Sequence, residues 1–295
     1  MNFAPHKVDL HIHTTVSDGT DSPLMLLTKA RRMRMDVFSV TDHDAIGGCQ
    51  EIVKSMQEGD PAFIQGAEFS ARDSKGRYHI LAYAYDFNAP SIIELAKLYH
   101  NNRMSKLDGR IAFLEQEYGF YFSQDEKDML HSLSNPGKPH LGNLMTEHGY
   151  ALDRNDAISN YINHYHGPEL KLRPEEVITA ILDAGGIPVL AHPIYGDGGQ
   201  NLTEEQLRDR ADRLGEMGLM GFECYYSGFN FFQQEMLIEI AREHGFYVSA
   251  GSDCHGMNKR ISIGETGIIE DDQDAAANIR PLLEDAIGRI EARKS

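Results

Sequence analysis

Two histidines separated by one residue, His11 and His13, lie in a run where Val8, Leu10 and Ile12 alternate with Asp9, His11 and His13. In an extended strand this alternation puts both imidazoles on one face, opposite the apolar set and close enough to reach one metal ion. Further imidazoles and carboxylates recur in short polar clusters. These are Asp18 in Ser17-Asp18-Gly19, His43 in Thr41-Asp42-His43-Asp44, Glu68, His79 between Tyr78 and Ile80, His192 in Ala191-His192-Pro193, and Asp253 and His255 in Ser252-Asp253-Cys254-His255. A donor set of imidazole and carboxylate that needs no thiolate suits Mn2+, Fe2+ or Zn2+ better than Ca2+. Cys49, Cys224 and Cys254 have no paired spacing and leave one over, which argues against a disulfide framework and a thiolate zinc site and fits a reducing compartment. The alternation around Cys254 turns its side chain away from Asp253 and His255, towards the core.

These donors need elements that bring them to one place. Seven β-rich runs are expected, at 7–13, 36–41, 62–67, 77–85, 187–191, 219–225 and 246–251. Helical patterns separate most of them: one opens at the Ser22-Pro23 cap, and others run near 44–58, 174–184, 203–216 and 230–244. Alternating strand and helix argues for parallel βαβ units. Asp73-Ser-Lys-Gly76 is a tight turn, so the fourth run approaches the third in the manner of a hairpin. Apart from His79, each candidate donor falls at or near the carboxyl end of a strand, where parallel barrels build their active sites. Between roughly 90 and 170 the alternation stops, and helices are expected at 91–117, 123–132, 139–149 and 153–164. The expected domains are a barrel from 1–90 and 170–295 and a helical insertion, or cap, from 91–169.

Composition sets wider bounds. Hydrophobic residues at 41% and charged residues at 25% suit a soluble globular chain with a large core. A net charge of −17 argues against a surface for duplex nucleic acid, which relies on many Lys and Arg contacts to phosphates. The start, MNFAPHKVDLHIH, lacks the apolar stretch of a signal peptide, and no run approaches the roughly 18 apolar residues of a membrane span. A cytoplasmic protein with no membrane partner is expected.

The ordered series Asp9-Leu-His-Ile-His-Thr14, Ser17-Asp-Gly19, Thr41-Asp-His-Asp44, Glu68, Gly76-Arg-Tyr-His79, Ala191-His-Pro193 and Ser252-Asp-Cys-His255 resembles the successive motifs of the PHP family, named for polymerase and histidinol phosphatase. HxH alone is weak, whereas the ordered series spans both ends of the chain. The resemblance implies a distorted (β/α)7 TIM-like barrel holding three divalent ions. It puts the first ion on His11, His13, Glu68 and Asp253, the second on Glu68, His79 and His192, and the third on Asp18, His43 and His255. Asp9 and Asp42 are then expected to fix histidine tautomers, and Asp44 to do the same or to hold a loop or cap. The implied chemistry is phosphoester hydrolysis, with a metal-bridging hydroxide held by Glu68 and Asp253 attacking phosphorus in line.

Within the insertion, Asn135-Pro-Gly-Lys-Pro-His-Leu141 resembles the Arg-Pro-His motif of small capped PHP phosphoesterases, with Lys138 in place of the arginine and so without its bidentate fork. With His140, Arg103, Lys106 and Arg110 it forms the expected substrate-binding group; a solvated helix face is the alternative for the three upstream cations. The resemblance points to a small phosphorylated substrate, namely a nucleoside 3′,5′-bisphosphate, a ribose cyclic phosphate or a short oligonucleotide end. Two other readings remain: an amidohydrolase-type metal enzyme, which also begins with HxH on a barrel strand, and a non-catalytic PHP module. The second conflicts with competent donors at all nine positions. On the sixth run, Glu223 and Tyr225 face either the pocket mouth or the core.

Overall fold

The computed structural model describes residues 3–133, 135–168, 170, 172–196, 199–269 and 272–294, excluding the side chains of Pro5 and Gln273. Its strands are β1 (Val8–Asp9), β2 (Val37–Val40), β3 (Ala62–Asp73), β4 (Gly76–Tyr83), β5 (Ile187–Leu190), β6 (Gly221–Tyr226) and β7 (Tyr247–Gly251). They pair in chain order in one sheet. All neighbours are parallel except β4, which runs antiparallel to both β3 and β5. Backbone bonds from Leu10 N to Ala250 O, Asp253 N to His11 O and His13 N to Cys254 O, each 2.8 to 2.9 Å, tie the first strand to the seventh. The result is the expected distorted seven-stranded barrel.

Beyond Asp9 the chain leaves the regular ladder, although an isolated bridge joins Ile12 to Cys254 and Thr41 N donates to Ile12 O. β1 is therefore shorter than the 7–13 run. Its backbone bonds alternately to both neighbouring segments, and His11 to Thr14 stay buried.

The barrel helices are α1 (Pro23–Met33) and α2 (Gly47–Ser55). Ser22 caps α1 by accepting from Met25 N, with Pro23 in the first turn. α2 is shorter than the 44–58 pattern, because Asp44 adopts a left-handed backbone (φ 55°) that cannot begin a helix. Next come α3 (Pro90–Tyr118), α4 (Gln124–Ser132), α5 (Lys138–Glu147), α6 (Arg154–Asn160), α7 (Pro174–Asp183), α8 (Glu204–Glu216), α9 (Phe231–Glu243) and α10 (Gln273–Ala292). α10 is not among the expected segments; Pro281 interrupts its pattern. No helix among the described residues is long and apolar enough to cross a membrane.

By contacts the chain divides into one unit of Met1–Ala96 with Lys171–Ser295 and a second of Lys97–Leu170. In the first, fully buried Leu10, Ile12, Phe38, Val40 and Ile52 support the start of the barrel, each such side chain contributing about 1.5–3 kcal/mol. The second has its own core, including Leu107, Leu114, Phe122, Leu141, Met145 and Ile162.

Candidate metal centre

The parallel strands deliver most of the candidate donors with their carboxyl ends. The antiparallel course of β4 explains the exception. β3 runs past Glu68 to Asp73 before the turn, so the first half of β4 lies beside the last half of β3, and His79 pairs in register with Ser70. His79 therefore reaches the same end of the barrel from the amino half of its strand.

Glu68 is the hub. It is fully buried, and its Oε2 accepts no hydrogen bond among the described residues. Yet His43 Nδ1, His13 Nε2 and His11 Nε2 lie 3.0, 3.2 and 3.3 Å from it. His11 Nε2 and His13 Nε2 are 3.1 Å apart, and Asp253 Oδ1 lies 3.7 and 3.3 Å from them. Ligand bonds of about 2.0–2.2 Å in a tetrahedron give donor–donor edges of roughly 3.3–3.6 Å. The set His11, His13, Glu68 and Asp253 is thus spaced to surround a small divalent ion. On the other oxygen of Glu68, Oε1, His79 Nδ1 and His192 Nε2 lie at 3.0 and 3.1 Å, with 3.3 Å between the two imidazole nitrogens. One carboxylate thereby serves two donor sets.

The third set is looser. Asp18 Oδ1 is 3.1 Å from His255 Nε2, but Asp18 Oδ2 is 4.0 Å from His43 Nε2, and the Asp18 side chain is 52% exposed. Asp18 also approaches His13 Nδ1 at 3.7 Å.

The carboxylates and imidazoles perturb one another. Burial pushes the Glu68 carboxyl up, but the positive charge of His43, His11 and His79 outweighs this and holds it well below its ordinary value. Burial likewise opposes ionisation of Asp253 and is overcome by His11 and His13. Burial lowers His13, whereas for His43 the charge of Glu68 prevails over burial and raises it to about 9. An electron-rich pocket lined by imidazoles, with an orphaned carboxylate oxygen at its centre, is chemically fitted to divalent cations.

The surrounding polar groups differ from expectation. Among the described residues, the hydrogen bonds of Asp9 and Asp42 go to backbone amides and hydroxyls rather than to an imidazole. Asp9 accepts from the backbone amides of His11, Ser252 and Gly264, and Asp42 from Thr14 N, Thr14 Oγ1 and Ser17 Oγ. They clamp the backbone segments that carry the donors; burial raises Asp9 to about 6. Asp44 holds Ser70 through its amide and hydroxyl. The carboxylate that orients an imidazole is Glu223, fully buried on β6. It accepts from His11 Nδ1 at 2.8 Å, which leaves Nε2 to face the cluster, and from His192 N at 2.7 Å. Gly251 makes this possible, since a Cβ there would strike His11 and the Glu223 carboxylate. Tyr225, weighed with Glu223 for the pocket mouth, instead places its hydroxyl by Asn278 and Asp272. A register shift between Glu223 and Tyr225 breaks the alternation and brings Tyr226 round to donate to Asp253 Oδ2 at 2.8 Å. Lys259 Nζ meets the same oxygen at 2.5 Å. Nothing in the run FECYY announces that shift, and Lys259 lies outside every motif.

In the second unit, the guanidinium of Arg103 meets the Asn135 side chain, and Lys138 Nζ donates to Asn163 Oδ1 at 2.6 Å. Burial, with the neighbouring charges of Arg110 and Lys106, lowers Lys138, so these three cations are close together. His140 is exposed and turns Nδ1 back to accept from Gly137 N at the start of its own helix.

Comparison with known proteins extends this picture. The chain is 26% identical over 265 residues to a 5′-3′ exoribonuclease of Haemophilus influenzae, covering 88% of this chain and 93% of that one. It is 25% identical over 294 residues to a 3′,5′-nucleoside bisphosphate phosphatase of Chromobacterium violaceum, covering 96% and 98%. A solved structure from Bifidobacterium adolescentis, described as a metal-dependent phosphoesterase, superposes with a TM-score of 0.72 at 28% identity, covering 92% of this chain and 96% of that one. The PHP domain family matches residues 9–168, more than half of the chain. The chain therefore belongs to the PHP domain family and is a metal-dependent phosphoesterase, a hydrolase of phosphoric esters.

Proposed function

We propose that the protein removes phosphate from a small nucleotide, a nucleoside 3′,5′-bisphosphate or the end of a short oligonucleotide, with a ribose cyclic phosphate as a related substrate. The observation that carries this reading is the pair of donor sets sharing Glu68, His11–His13–Asp253 on one oxygen and His79–His192 on the other. The names of the relatives from Chromobacterium violaceum and Haemophilus influenzae support the nucleotide class. We assign His11, His13, Glu68 and Asp253 to a first divalent ion, Glu68, His79 and His192 to a second, and Asp18, His43 and His255 to a third, with Mn2+, Fe2+ or Zn2+ as candidates. Such ions would acidify a water for attack on phosphorus and neutralise charge on the phosphoryl oxygens.

The chain's own residues prepare that chemistry. Glu223 fixes the His11 tautomer and steadies the backbone of His192. Tyr226 and Lys259 hold Asp253 Oδ2, so that Oδ1 faces the histidines. We read residues 91–169 as an insertion domain whose Arg103, Lys106, Arg110, Lys138 and His140 supply positive charge for an anionic substrate group. A cytoplasmic setting belongs to this reading, in line with three free thiols at Cys49, Cys224 and Cys254. A phosphate-release screen over mono-, bis- and cyclic phosphates with Mn2+ tests it. Fastest turnover is expected on a bisphosphorylated nucleoside, and release of ammonia from amide or amine substrates with no phosphate released would overturn it.

A further inference from the structure

The run Ser17-Asp18-Gly19 supplies Asp18 as a candidate donor, yet its serine is the better buried: Ser17 is 5% exposed, whereas the Asp18 side chain is 52% exposed. A tight turn carries Ser17 back to His13. Ser17 N and Gly19 N both donate to Thr14 O, at 3.0 and 2.9 Å, and a Cβ at Gly19 would strike His13 O. Glycine at position 19 lets the turn close against the His13 backbone.

Ser17 Oγ donates to Asp42 Oδ1 at 2.7 Å. A hydroxyl has one hydrogen and two lone pairs, so Ser17 Oγ meets any further polar group as an acceptor. That group is His13 Nδ1, at 3.4 Å; the Asp18 carboxylate, also an acceptor, is farther from it, with Oδ1 at 3.7 Å. Both neighbours call for the imidazole hydrogen on Nδ1, which leaves Nε2 bare. Nε2 is the atom that lies 3.1 Å from His11 Nε2 and 3.2 Å from Glu68 Oε2. The far end of the chain is fixed as well. Asp42 is 1% exposed and accepts from Thr14 N and Thr14 Oγ1 at 2.7 Å each, and a Cβ at Gly48 would strike its Oδ2.

We propose that Ser17 is a positioning residue for the hydrolysis: a relay from His13 Nδ1–H to Ser17 Oγ–H to Asp42 selects one tautomer of His13 and aims Nε2 at the first ion. The proposal rests on the assignment of His13 to that ion and adds to it. It gives Asp42 a hold on an imidazole at one remove. Glu223 does the same for His11 directly, accepting from Nδ1 at 2.8 Å. The two histidines that share a strand face are therefore oriented from different elements, His11 from β6 and His13 from its own turn and the segment after β2.

The test uses the full-length protein loaded with Zn2+, which is diamagnetic, with its histidines labelled with 15N. Long-range proton–nitrogen spectra distinguish the two imidazole tautomers, and His13→Gln identifies the His13 signals among the 14 histidines. In the wild type His13 is expected to carry its hydrogen on Nδ1. A hydrogen on Nε2 overturns the relay without any variant, as does a protein that binds no Zn2+ through His13. Ser17→Ala is expected to weaken binding of one ion roughly tenfold or more in chelator competition, with the fold intact by circular dichroism. Ser17→Thr keeps the hydroxyl and should restore most of that affinity. Wild-type affinity in Ser17→Ala overturns the proposal, and if that variant does not fold the wild-type spectrum decides. A protein that meets these expectations but releases no phosphate from any ester would defeat the substrate reading and leave the relay standing.

Discussion

The histidine cluster of the barrel and the cations of the helical unit both gather side chains from distant stretches of sequence, but they are held in different ways. In the barrel most donors leave a strand end or the turn after it, and several are held by specific partners: Glu223 on His11, Tyr226 and Lys259 on Asp253, and the clamps of Asp9 and Asp42 on the backbone. In the helical unit Arg103 and Lys138 contact the amide side chains of Asn135 and Asn163, and His140 caps its own helix. The first arrangement is rigid and carries unsatisfied charge inward. The second leaves its cations partly in solvent. Loss of a barrel donor should therefore damage catalysis far more than loss of a helical cation, whose effect should depend on the substrate.

The strongest test of that contrast is the removal of donors themselves. His13→Ala and Asp253→Asn are each expected to cut phosphate release by at least roughly a hundredfold with metal in excess, beyond the usual cost of changing an outer partner. Circular dichroism should report an intact fold, and near-normal turnover in either variant would remove these residues from the centre.

Metal content sharpens the comparison within the barrel. Elemental analysis of reconstituted protein is expected to give about three divalent ions per chain. One should leave first on mild chelation, because Asp18 is half exposed and 4.0 Å from His43. Asp18→Asn should lower the count by one and leave the other two, whereas a count of one or none in the wild type would sink the three-ion assignment.

Glu223→Gln probes the support beneath a donor. With His11 no longer facing a carboxylate, metal affinity is expected to fall about 10–100-fold. Chelator competition measures this, and an unchanged affinity would make Glu223 a packing residue.

The smallest effect is assigned to the helical unit. Lys138→Ala and His140→Ala are expected to lower the ratio of kcat/KM for a bisphosphorylated nucleoside over an aryl monophosphate. A charge-assisted hydrogen bond is worth about 1.5–3 kcal/mol at most, and partial exposure should reduce it. Equal losses on both substrates would place these residues in folding, and no loss would return them to the solvated surface.

The donors were legible because their chemistry is rare and their spacing follows strand geometry. His11 and His13 share a face by alternation alone, and His43, His192 and His255 follow apolar runs that end in polar clusters. Their order along the chain supplied the family, and with it the barrel. What escaped was set by geometry that residue types do not encode. Asp9 and Asp42 lie within two residues of histidines in sequence, yet their carboxylates turn to backbone amides and hydroxyls. Glu223 was open between core and pocket until the fold put it against His11, more than two hundred residues away in the chain. Tyr226 enters only because β6 shifts register, and α10 forms around a proline that interrupts its pattern.

His192 and Asp253, both assigned to ions, have left-handed backbones, with φ of 31° and 56°. Side chains other than glycine, asparagine and aspartate seldom occupy that region, and an outlier of this kind costs on the order of 1–3 kcal/mol. His192 is the more unfavourable of the two. The protein as built is therefore not at its thermal optimum. His192→Gly should give a metal-free protein that melts higher than the wild type while losing an ion, so a search for heat tolerance alone would tend to select against turnover at this position.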